Sequence, residues 1–375
     1  MSAKNAFTSP PRNHWFREVV FKVTLREKLP RAGERIRRVN EGRKQLDLFG
    51  EQPPPSPQHS HSPVALRLEH EHAEAARIAA RLPEGIRFGT SSWSFPDWAG
   101  LVYSRVATVG ELAREGLREY ARHPLLTTVG IDRSYYAPIP PQDLVRYDSQ
   151  LPPGFPCCTK APEAVASAVR PARSGGSRTE ANPDFLNPRV LEDEMLEPFR
   201  ELFRDHTGPF ILQFPPVPAS IRPRPQAFAE RLDGFLEALP RDFRYAIELR
   251  DPRLLTADYR QALAAHGAAH VYNYVTAMPM PREQEKAIAV DSAPFAVIRL
   301  LLRPGTTYGE RREALAPFTR LTDQDDEMRS QVVSLVRTAV DAAIPVSVLV
   351  NNKAEGCAPL TIRALAEMLA GLPGQ

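Results

Sequence analysis

From Ile86 onward, short apolar runs alternate with helical stretches, giving eight apolar runs and six helical stretches. The runs are 87–90 (RFGT), 127–132 (TTVGID), 155–160 (FPCCTK), 209–214 (PFILQF), 244–250 (RYAIELR), 269–274 (AHVYNY), 295–301 (FAVIRLL) and 345–351 (PVSVLVN). Helical periodicity marks 109–122, 192–206, 225–238, 256–266, 326–343 and 359–371. Strands separated by helices pair in parallel, because a parallel partner needs a long crossover while a hairpin does not. Eight strands with intervening helices over about 290 residues predict an α/β fold of the (β/α)8 TIM-barrel type. An open doubly wound sheet is the alternative, but no G-x-G-x-x-G or G-x-x-x-x-G-K-[ST] turn is present to support it.

The segments before the barrel read differently. Residues 64–82 (VALRLEHEHAEAARIAARL) place Leu68, Ala75, Ile78, Ala79 and Leu82 near one helical face, and Pro83 ends the run. Residues 51–63 (EQPPPSPQHSHSP) are too rich in Pro, Ser and His to build a core. The division expected is a basic, Pro/His-rich flexible extension over 1–63, a connecting helix over 64–84 and a barrel domain over 85–375. The paired histidines His59, His61, His70 and His72 read as a solvated stretch, and no metal is expected.

Composition narrows the function classes. At 42% hydrophobic and 25% charged residues the chain is an ordinary soluble one. No apolar run nears the ~18 residues of a membrane span, and the N-terminus lacks a secretory apolar stretch. A cytoplasmic protein without membrane contact is expected. Cys157, Cys158 and Cys357 cannot form a disulfide framework, and the adjacent pair should face opposite sides of one strand. Residues 1–50 carry twelve Lys/Arg against five acids, although the whole chain is only +3. Such an arm suits weak contact with nucleic-acid phosphates.

Alternation along each strand separates an inner from an outer face. Tyr245, Ile247 and Leu249 share one face, and Ala246, Glu248 and Arg250 the other. The same count turns Ile211, Gln213, Val297 and Arg299 inward, together with Asp132, Lys160, Asn273 and Asn351 at strand ends. Active sites of TIM barrels gather at that C-terminal rim. The expectation is a small-molecule pocket for a polar, anionic or phosphorylated substrate. Lys160, Arg250 and Arg299 would bind the anion, Glu248 or Asp132 would act as general base, and Gln213 and Asn351 would orient. No cofactor is expected. The loop after the first strand, SSWSFPDWAG, carries Trp93 and Trp98, read as the aromatic wall of that pocket, with a loop folded back as a lid on its own core as the alternative.

These residues resemble a known family. Gly89-Thr90-Ser91-Ser92-Trp93-Ser94 with Trp98, Gly100 and Tyr103, then Tyr135-Tyr136, Lys160, Gln213-Phe214-Pro215-Pro216, Glu248-Leu249-Arg250, Arg299 with Tyr308, and Asn351-Asn352 with Gly356 are similar to the domain-of-unknown-function 72, or YecE-like, family. The resemblance runs over roughly Ile86 to Leu372. It implies a TIM barrel, supplies no reaction, and adds Tyr308 to the binding residues. Two positions depart from the family pattern. Gly130 stands where a Glu is usual, and Arg299-Leu300-Leu301-Leu302 replaces Arg-x-His-Gly. Any chemistry carried by that Glu and His would here be lost or moved to Asp132 and Glu248.

Between the basic arm and the Pro-rich stretch lies Gln45-Leu46-Asp47-Leu48-Phe49. It resembles the short peptide by which bacterial polymerases and repair proteins bind the sliding clamp. Leu48 and Phe49 would anchor in an apolar cleft while Gln45 hydrogen-bonds, with Leu46 beside them. The alternative function is therefore a nucleic-acid-associated accessory protein recruited through this tail.

Overall fold

The strands close on themselves in one ring. A computed structural model describes residues 62–171, 179–216 and 224–372. Its strands are β1 (Ile86–Thr90), β2 (Val129–Ile131), β3 (Cys157–Lys160), β4 (Val169–Pro171), β5 (Thr179–Ala181), β6 (Thr207–Phe214), β7 (Tyr245–Leu249), β8 (Ala269–Tyr274), β9 (Ala296–Leu300) and β10 (Val346–Val350). The short antiparallel pair β4 and β5 stands apart, and the other eight form one sheet in the order β1-β10-β9-β8-β7-β6-β3-β2. Every neighbouring pair in that sheet is parallel. With helices between the strands, this is the (β/α)8 barrel architecture expected from the alternation.

The seam between β1 and β2 is the exception to the ladder. Only a single bridge, Phe88 to Leu126, joins the two sides. The Phe88 carbonyl accepts from both Thr127 N–H (2.8 Å) and Thr128 N–H (3.1 Å). The Tyr120 hydroxyl fills the gap, accepting from Thr90 N–H at 2.9 Å and donating to the Thr128 carbonyl at 3.1 Å. Glycine makes the approach feasible, since a Cβ on Gly89 would lie 2.1 Å from the Thr128 carbonyl oxygen. β2 covers only Val129–Ile131 of the 127–132 run.

Two apolar clusters confirm the reading of strand faces. Cys158, Ile211, Ala246, Ala269, Val271, Phe295, Val297 and Leu349 form a small cluster inside the barrel. Their neighbours Cys157, Phe210, Leu212, Tyr245, Ile247, Ile298 and Val348 belong to the larger shell between strands and helices. The adjacent cysteines divide between the two, and all three are free thiols. Among the described residues, no helix is long and apolar enough to cross a membrane.

The helix Pro63–Ala79 starts at Ser62, whose hydroxyl caps Ala65 N–H, with Pro63 in the first turn. Ala75 and Ile78 bury into the shell, and Glu71 and Glu74 meet Arg363 on the last helix, Ala358–Leu369. The chain over 192–206 departs from regular helix: Glu192–Leu196 is a π-helical turn between Pro188–Leu191 and Glu197–Leu202. The extension over 1–61 lies outside the described residues, and with it His59, His61 and the Gln45-to-Phe49 peptide.

Candidate active site at the carboxyl rim

Above the apolar partition the inner face turns polar. Glu248, near the end of β7, has no solvent exposure and takes hydrogen bonds from two arginines. Arg299 Nη1 reaches its Oε2 at 2.5 Å, and Arg250 Nε its Oε1 at 2.7 Å. Arg299 spans the barrel with its second Nη, which meets both oxygens of Asp132 at 2.8 and 2.7 Å. Arg250 donates through Nη2 to Gln213 Oε1 at 2.9 Å. Five of the residues expected at the rim are thus one connected network. Its geometry explains the titration of its centre. Burial would raise the Glu248 carboxyl, but Arg250, Arg299 and Lys160 outweigh burial and hold it down at about 2. Glu248 is therefore a fixed negative charge at any ordinary pH.

Lys160 is placed differently. It ends β3, is 6% exposed, and has no carboxylate within salt-bridge distance among the described residues. Its Nζ lies 4.1 Å from the centroid of the Tyr135 ring, a cation–π contact. Tyr135 is presented there by the turn Arg133–Tyr135, held by Ser134 Oγ donating to the Lys160 carbonyl at 2.6 Å. Burial pulls the Lys160 ammonium down to about 8, against the pull of Asp132.

The loops after β9 and β10 bring a second caged lysine. Lys353 is 6% exposed, with Nζ 4.2 Å from the Tyr308 ring and 3.4 Å from Asn351 Oδ1. Asn351 also accepts from Lys353 N–H at 3.1 Å, which fixes the loop. Tyr308 opens the helix Tyr308–Leu315 behind a Thr307–Glu310 capping box and stays 55% exposed. Asn273, also expected to face the rim, is turned to structure. Its amide donates to the Leu249 carbonyl at 2.8 Å, and Gln284 closes on its backbone.

The tryptophans do not wall a pocket. Trp93 is 4% and Trp98 0% exposed, and both lie in the outer shell. Trp93 Nε1 donates to the Leu112 carbonyl at 2.9 Å, its ring meets Tyr147 edge-on, and its carbonyl accepts from the Tyr103 hydroxyl. Trp98 packs on Phe95 at 4.7 Å. A wall must offer surface to a ligand, and these offer none. The exposed rim aromatics are Tyr136 and Tyr308. Lys353 escaped the strand-face count because it lies beyond β10, in a loop where alternation carries no direction. The Tyr135-Tyr136 doublet was visible only as a motif.

Residues 87–374 match the family described as Protein of unknown function DUF72. The chain belongs to that family. Two solved DUF72 structures are similar to it. One is the protein TM1631 of Thermotoga maritima, 17% identical with a TM-score of 0.53, covering 76% of this chain and 98% of that one. The other is EF0366 of Enterococcus faecalis, 17% identical at a TM-score of 0.50, covering 77% and 98%. At such identity the likeness is one of fold. No curated protein sequence matches the chain.

Both departures of this DUF72 barrel from its family pattern have local correlates. A Cβ on Gly130 would lie 3.0 Å from Ser91 Cα and 3.1 Å from the Thr90 carbonyl, so the tight seam leaves little room for a side chain. Leu301 and Leu302 both donate backbone N–H to the Tyr274 carbonyl at 3.0 Å and pack on the shell.

Proposed function

We propose that the rim binds and transforms a small anionic substrate, phosphorylated or carboxylated, and that Lys160 is the group that meets it. One observation carries this reading: of the three inward cations, Arg250 and Arg299 are neutralised by Glu248 and Asp132, while Lys160 has only a tyrosine ring. A buried ammonium with no carboxylate in contact is costly, and an incoming anion would relieve that cost. Lys353, with Tyr308 and Asn351, offers a second cation for the same ligand. Glu248, held ionised at about 2, is too weak a base for proton transfer near neutrality and serves as the anchor of the arginines. Lys160, with its ammonium pulled down only to about 8, stays protonated near neutrality and so meets the anion as a cation.

The sign of the pH effect follows from the charge. An anion favours the ammonium form, so affinity is full below pH 8 and falls above it, by up to about tenfold per pH unit for one linked proton. Calorimetric titration with sugar phosphates and dicarboxylates, in buffers of different ionisation heat, should show proton uptake near pH 8. Lys160→Met should weaken binding by about tenfold or more. A Lys160→Met protein that binds like wild type removes the reading.

A second reading rests on the surplus of seven positive charges over residues 1–50 and on the Gln45-to-Phe49 peptide. In it the tail recruits the barrel to DNA through a sliding clamp. Leu48→Ala with Phe49→Ala should abolish clamp pull-down with the melting temperature unchanged, and a pull-down that persists excludes the peptide.

A further inference from the structure

The opposite end of the barrel holds a cavity of about 350 Å³ that the rim chemistry does not use. It enters at the N-terminal ends of the strands and is floored by the apolar partition through Phe295. TIM-barrel interiors are normally filled by bulky branched side chains. Here the lower walls present Pro156 and Ser347, which leave the space open.

Two long side chains enter that space. Arg87 lies on β1, where Phe88 faces the shell and so turns Arg87 inward. Arg244 immediately precedes β7, where Tyr245 faces the shell and Ala246 the interior. Around the ring β1 and β7 stand four places apart, which is diametrically opposite. The two guanidinium groups therefore come from facing walls of one mouth.

Their lack of partners is unusual for this end of the molecule. Arg204 lines the same cavity but is held by Asp242 at 3.4 Å, and Asp242 also takes Arg200 at 3.1 Å. Arg241 caps a helix end, donating to the His266 carbonyl at 3.3 Å. Among the described residues, neither Arg87 nor Arg244 has a side-chain hydrogen bond or ion pair; Arg244 only overlies Phe295, at 5.7 Å from the ring. Both reach solvent, and exposed Asp205 is the one other carboxylate lining the cavity.

We infer that this mouth is a second anion site, taking a compact phosphate-class oxyanion between Arg87 and Arg244. Each guanidinium is a planar fork that engages two oxygens at once. A tetrahedral oxyanion offers a pair of oxygens to each of two opposed forks, whereas a carboxylate satisfies one. Asp205 repels the ligand's charge but leaves the cavity net positive once Asp242 is counted with Arg204. The site is independent of the rim reading, since the partition separates them.

Pyrophosphate is a suitable probe. It is titrated by calorimetry into the full chain carrying Lys160→Met, which removes the proposed rim cation, and into the same protein with Arg87→Gln and Arg244→Gln added. Both arginines reach solvent, so folding should survive, and thermal melts of the two proteins should coincide. Saturable binding is expected in the first protein and a loss of about tenfold or more in the second. Equal binding in both proteins, or none in either, overturns the inference. Neither outcome bears on Lys160, which is judged by its own titration against wild type.

Discussion

Arg299→Met will lower the stability of this barrel by ~3–5 kcal/mol, the usual cost of breaking a buried ion pair from one side. The arginine is itself fully buried and holds Glu248 and Asp132 together across the barrel. Without it, Glu248 keeps only Arg250 in direct contact, and that side chain is 19% exposed. Arg250→Ala should cost less, because the more deeply buried partner remains. Denaturant unfolding of both variants measures the order, and an Arg299→Met midpoint at the wild-type value would refute the account. Acid should have the same target. Glu248 is held below its unfolded value, so its contribution is complete above about pH 4.5 and is lost as pH falls toward 2. His123 and His270 begin the loss earlier. Burial depresses them to about 3 and about 4, so the unfolded chain takes up protons below about 6.5 that the folded chain refuses.

Trp98→Ala should be comparably severe, at ~3–5 kcal/mol, because it empties a large volume in a fully buried part of the shell. Trp98→Phe should recover most of that loss, since the indole Nε1 has no acceptor to forfeit. Trp93→Phe differs, because it leaves the Leu112 carbonyl without its donor. Thermal melts of the three variants decide the matter. A Trp98→Ala protein as stable as wild type but weakened in ligand binding would return this loop to the pocket.

The contrast between these two predictions shows where the sequence was readable. Parity along Tyr245 to Arg250 placed Glu248 and Arg250 inside, and β7 is regular enough for alternation to hold. The same logic placed Arg299, Asp132 and Lys160 within reach of one another. It could not assign Trp93 and Trp98, since a loop has no period and a buried aromatic can serve either shell. Nor could it foresee that Asn273 would be consumed by Leu249 and Gln284, a contact set by a helix that follows in the chain. The seam hid too, because Tyr120 supplies from a helix the hydrogen bonds that a strand would have made.

That seam sets the order in which the backbone gives up its protons to solvent exchange. Strands such as β10 are pinned on both sides, by β1 and β9, and their amides can exchange only when the whole ring opens. β2 is laddered to β3 alone, and across the seam it relies on one phenolic hydroxyl and one shared carbonyl. A clasp of that kind releases by swinging a single helix outward, at a free energy below that of global unfolding. The amides of Thr90 and Thr128 should therefore lose protection before those of Val348 and Ile298. Since Asp132 and Tyr135 follow β2 directly, the same motion would part them from Arg299 and Lys160. The rim would then be a site whose two halves are joined by its most easily opened hinge.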